Sequence, residues 1–85
     1  MPKPRTETGE KNLIAQKLKR LRAYYQMSQR DVANRLQLRG YDIDKNVITR
    51  IETNKRFVTD IELKAILDLF QISYDVIMGP LDQLK

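Results

Sequence analysis

The chain contains no cysteine, no histidine and no tryptophan. The absence of cysteine excludes disulfide staples, thiol nucleophiles and redox switching. Lacking histidine as well, it offers no Cys/His zinc site and no imidazole base. No apolar run approaches the ~18 residues needed to span a bilayer. Residues 1–12, MPKPRTETGEKN, lack the apolar stretch of a secretory signal, so the expected address is the cytosol. There are no internal repeats and no low-complexity segment, and no stretch alternates convincingly with period two, so no sheet is expected.

Catalysis would fall to carboxylates, Lys, Ser or Tyr. Asp42 and Asp44 read as turn and cap residues, and Asp60 and Glu62 as first-turn acids complementing a helix dipole. No glycine-rich phosphate loop and no carboxylate pair calls for a chemical explanation. The expectation is no enzyme, no cofactor and no metal.

What is present is a single-domain length of 85 residues, 41% hydrophobic and 32% charged, a globular rather than a disordered mix. Lysine and arginine number 16 against 11 acids. Residues 1–56 hold 14 basic and 6 acidic side chains, and residues 57–85 hold 2 and 5. That asymmetry suggests a basic face for a polyanion; chance clustering of surface charge is the plainer alternative.

One device recurs four times. A Ser, Thr, Asp or Asn at an N-cap is preceded by an apolar residue and followed by another four positions into the helix. Ser28 stands between Met27 and Val32, with Asp31 completing a capping box. Asp44 stands between Ile43 and Ile48, Thr59 between Val58 and Leu63 with Glu62 as box residue, and Ser73 between Ile72 and Ile77. Upstream, Ile14, Leu18, Leu21 and Tyr25 form a stripe of helical period.

These signals predict helices over about 11–25 (with Asn12 or Thr8 as cap), 29–38, 45–53, 60–70 and 74–78, the last ending at Gly79-Pro80. Val32, Ala33 and Leu36 are expected to be buried from the second helix, and Leu63, Ile66, Leu67 and Phe70 from the fourth. The architecture expected is an all-α, five-helix bundle over 11–79. Residues 1–10 are read as a mobile tail, with Lys3 and Arg5 as a basic arm the rival reading, and 80–85 as a C-terminal tail.

The third helix carries the functional signal. Val47, Ile48 and Ile51 gather on one side, while Asn46, Thr49, Arg50 and Thr53 gather almost opposite. An ordinary outer face is rich in Glu and Lys. Asn, Arg and Thr are instead side chains that read base edges: Asn pairs with adenine, Arg with guanine, and a Thr methyl meets thymine's methyl. A merely polar solvated face is the alternative. Lys55 and Arg56 follow this helix and Arg35, Arg39 and Lys45 precede it, cations suited to phosphates. Gln29, in the first turn of the second helix, offers an amide beside free backbone N–H groups.

The strings LKRLRAYYQMSQRDVANRL, VITRIETNKR and TDIELKAILDLFQIS resemble the Xre/Cro-type helix-turn-helix family, with the lambda-repressor-like DNA-binding fold, over roughly residues 13–78. The resemblance implies a bacterial or phage-encoded transcriptional regulator of repressor type on double-stranded DNA, with the second helix across the backbone and the third in the major groove. It implies base contacts from Lys45, Asn46, Thr49 and Arg50, and phosphate contacts from Gln29, Asn54, Lys55 and Arg56. It also pairs Arg22 with Glu52 structurally, which the helical wheel supports, since both border apolar stripes.

The chain departs from the family in a longer connection from Leu36 to Ile48. In it, Gly40 suits a left-handed turn, and residues 37–44 are either a passive loop or a means for Arg39 or Tyr41 to meet the backbone of DNA. Such domains commonly dimerise. Ile72, Tyr74, Val76, Met78, Leu81 and Leu84 suit either self-association through the C-terminal segment or core packing. A protein-interaction or antitoxin-like adaptor on the same fold is the alternative function.

Overall fold

The computed structural model describes residues 9–79. These form five α-helices and no strand: α1 Ala15–Tyr24, α2 Gln29–Leu38, α3 Lys45–Glu52, α4 Asp60–Phe70 and α5 Tyr74–Met78. None of the described helices is long and apolar enough to cross a membrane. Lys3, Arg5, Leu81 and Leu84 lie outside the described residues, as do most of the expected tails.

The four N-caps form as the sequence implies. Ser28, Asp44, Thr59 and Ser73 each accept from the amide three residues on, and Ser28–Asp31 and Thr59–Glu62 close complete capping boxes. The flanking apolar residues turn inward: Val32, Ile43, Ile48 and Ile77 are buried, with Met27, Val58, Leu63 and Ile72 packed at the core's edge. Cap and staple thus fix where each helix starts and the angle at which the chain enters it.

The first helix departs from expectation. It begins at Ala15, after Ile14, whose side chain supplies no cap. Asn12 is a buried tertiary anchor, with its amide Nδ2 donating to the carbonyls of Ile51 and Arg56 at 3.1 Å each. Its Oδ1 accepts from the Ile14 amide. At the other end Tyr25 is 46% exposed rather than buried. Its ring stacks on Phe70 at 5.7 Å and meets Tyr24 edge-on, tying the end of α1 to the end of α4.

Leu18, Leu21, Val32, Leu36, Ile48, Ile51, Ile66 and Ile77 make one core shared by all five helices. In α4, Ile66 and Phe70 are buried with Ala65, whereas Leu63 and Leu67 are only partly so. α3 packs against both α2 and α1, and α2 also against α4. This placement leaves one side of α3 uncovered.

The long α2–α3 connection is docked on α4. Gly40 adopts φ +93°, the left-handed turn expected of it. Beyond it, the Tyr41 amide returns to the Leu36 carbonyl, and the Tyr41 hydroxyl donates to Asp68 at 2.7 Å. Ile43 is buried, and Gln37 donates to its carbonyl. Tyr41 is therefore committed to α4.

Candidate nucleic-acid interface

Eight residues make α3, and its composition sorts by face. Ile48 and Ile51 are fully buried and Val47 partly so. Lys45, Asn46 and Arg50 are exposed, and none of the three side chains has a hydrogen bond or ion pair with a described residue. Thr53, at the C-cap, is also exposed, but its hydroxyl donates back to the Thr49 carbonyl at 2.8 Å.

The helix is braced from beneath by a chain of side-chain bonds. Glu52, its side chain only 1% exposed, receives Arg22 of α1 through Nε at 2.5 Å and through a second guanidinium nitrogen at 2.8 Å. The remaining guanidinium nitrogen donates to the Met27 carbonyl at 3.0 Å. A hydrogen bond to Glu52, outweighing the effect of burial, raises the Arg22 guanidinium above its ordinary value. Gln29 of α2 donates to Glu52 at 3.0 Å, and its amide oxygen accepts from the Thr49 hydroxyl at 2.7 Å. Three helices are thereby locked by four side chains. A buried carboxylate supplied with three donors meets the condition under which a buried charge is tolerated.

This network engages two of the side chains expected to contact DNA. Gln29, expected at a phosphate, has both ends of its amide bonded to α3. Thr49 does not project a free hydroxyl into solvent; it is half-buried and bonded to Gln29 and to the Lys45 carbonyl.

Two further expected phosphate ligands are likewise engaged inside the fold. Asn54 sits at φ +59°, and its Oδ1 accepts from the amides of Lys11 and Asn12 at 2.6 and 3.1 Å. Its Nδ2 donates to the Asn12 carbonyl. Arg56 pairs with Glu62 at 2.5 Å and donates to the Phe57 carbonyl, with 28% of its side chain exposed. Of the four, Lys55 is the one exposed, and its ammonium has no hydrogen bond or ion pair with a described residue.

Two of the flanking cations turn away from α3. Arg39 acts electrostatically on Asp68 of α4. Arg35 lines a groove with Tyr25, Met27, Leu69 and Phe70. A different cation lies close to α3: Lys19 of α1, which shares a groove of about 280 Å³ with Gln16, Thr53 and Asn54. Sequence reading missed it because proximity to α3 arises from how α1 packs, although the i, i+3 spacing of Gln16 and Lys19 already puts them on one helix face.

Among the described residues no group of three or more His, Cys, Asp or Glu side chains could hold a metal ion. In comparisons with known proteins, no family model, no curated protein and no solved structure matches this chain.

Proposed function

We propose that this protein binds double-stranded DNA sequence-specifically, as a transcriptional regulator of repressor type, with α3 in the major groove. The observation that carries the reading is the contrast within α3. The polar groups on its inner edge, Thr49 and Glu52, have internal partners, while Lys45, Asn46 and Arg50 stand exposed with none among the described residues. Three such side chains on a rigidly held helix suit base-edge contacts in a groove roughly 12 Å wide. Asn46 suits adenine and Arg50 suits guanine, while Lys45 donates to guanine or to phosphate. With its hydroxyl held by Gln29, Thr49 contributes through its methyl. Lys55 binds phosphate, and Arg22 and Glu52 position α3 without touching DNA. The resemblance to the Xre/Cro-type family supports the same assignment.

The test is selection of binding sites from random duplex DNA at about 150 mM salt, where exposed charge alone is partly screened. A defined consensus is expected. Arg50→Ala should weaken binding to it by about 1–3 kcal/mol and relax the preference at one base pair. Half-sites repeated as a palindrome one helical turn apart would mean that two copies bind together. Failure of the wild-type chain to select any consensus would overturn base reading. A protein partner that survives Arg50→Glu under those conditions would leave the adaptor reading.

A further inference from the structure

Of the two cations expected at phosphate, Arg56 is paired with Glu62, so among the described residues Lys55 is the one left exposed beyond the α3 side chains. Non-specific affinity for a duplex comes chiefly from cations that displace counterions at phosphates. The groove between α1 and the end of α3 supplies one. Lys19 is exposed and has no hydrogen bond or ion pair with a described residue. It lines the groove with Gln16, an exposed amide on the same face of α1, and with Thr53, next after the last helical residue of α3. Two acids also border the groove. Glu52 is already neutralised by Arg22, whereas Glu10, exposed on the rim, opposes an anion.

Resting on the DNA reading above, we infer that Lys19, assisted by Gln16, binds a backbone phosphate of the duplex whose bases α3 reads. The ammonium supplies the charge and the amide a directed donor. The contact lies toward the C-terminal end of α3, so it fixes how the helix is aligned along the groove without reading sequence.

The experiment measures duplex affinity of the full chain against salt, using the selected consensus and an unrelated duplex. Lys19→Gln removes the charge from an exposed helical position and keeps a good helix former there. It should lower the slope of log K against log salt by about 0.9 on both duplexes and leave the consensus unchanged. Arg39→Gln removes an equal charge on the α4 side and should leave the slope unaltered. A Lys19→Gln slope equal to wild type, while wild type binds its consensus, overturns the phosphate contact alone. A wild-type chain that binds no duplex overturns the DNA reading and this contact together. Inorganic phosphate is the second arm. Saturable shifts of the Gln16, Lys19 and Thr53 amides at constant ionic strength would mark a small-anion site and overturn assignment to the DNA backbone.

Discussion

The Asn54 side chain holds both backbone polar groups of Asn12 across 42 residues of sequence. The Asn54 Oδ1 accepts from the Asn12 amide, and its Nδ2 donates to the Asn12 carbonyl at 3.2 Å. Asn12 in turn donates to the carbonyls of Ile51 and Arg56, on either side of Asn54. The clasp anchors the segment before α1 to the end of α3.

Asn54→Ala should therefore act on folding. It removes an acceptor for two amides and a donor for one carbonyl, and it places a Cβ-bearing apolar residue at a left-handed φ of +59°. The expected cost is about 2–4 kcal/mol in urea denaturation. Asn54→Gly, which relieves the backbone but not the lost bonds, should cost less. Equal losses for the two variants would mean that φ strain contributes nothing.

Which features could be read from sequence follows from how far apart the interacting residues lie. Ser28, Asp44, Thr59 and Ser73 announce their helices because a cap acts on an amide three residues away. The outer face of α3 is visible for the same reason, since Lys45, Asn46 and Arg50 are arranged by helical period alone. The internal bonds of Gln29 and Asn54 are invisible in sequence because their partners, Glu52 and Asn12, are 23 and 42 residues away. An amide that could bind phosphate looks identical, in sequence, to one that braces a helix. The Arg22–Glu52 pair, 30 residues apart, is legible in sequence because both residues border the apolar stripes of their helices.

Glu52→Gln tests the brace. The substitution keeps shape but leaves Arg22 facing a neutral amide that brings its own donors. Breaking a fully buried ion pair costs about 3–5 kcal/mol, and the 21% exposure of Arg22 reduces this to about 2–3 kcal/mol. Gln29→Ala, which removes the bond to Glu52 and the one from Thr49, should cost about 1–2 kcal/mol. Because Gln29 and Arg22 share that carboxylate, the Gln29→Ala/Glu52→Gln double variant should lose less than the sum of the two. Strict additivity would mean that Gln29 does not act through Glu52.

The pH dependence has a definite sign at each end. Bonds from the Ser28 backbone amide and hydroxyl hold Asp31 below its ordinary carboxylate value. The Tyr41 hydroxyl and then Lys64 hold Asp68 below its own. Lowered folded values mean that both contributions are present above about pH 3.8 and lost as pH falls through the folded values. Arg22 and Lys64 are raised, so their contributions are complete through the acidic and neutral range and vanish only at strongly alkaline pH. With no histidine in the chain, thermal stability should be nearly flat from about pH 5 to pH 9. Tyr41→Phe should return Asp68 toward its ordinary value and leave Asp31 where it is, as followed by carboxyl NMR. An unmoved Asp68 would mean that the tyrosine is not its main donor.

Lys17 gives the last prediction, on the attachment of α5. This lysine is 6% exposed, and its ammonium donates to the Ile77 carbonyl at 2.9 Å, near the end of a five-residue helix. A helix so short does not persist alone. It is held by the burial of Ile77, by the Ser73 cap and by this one cation at its C-terminal end, where the helix dipole favours positive charge. Lys17→Met keeps the aliphatic stem and removes the donor. Relief from burying a charge offsets part of the lost bond, so global stability should fall by only about 1 kcal/mol. The local effect should be larger. Hydrogen exchange over Tyr74–Met78 should accelerate while α2 and α4 keep their protection, since losing one anchor frays an end without opening the core. Uniform acceleration across all helices would mean instead that α5 unfolds only with the whole domain.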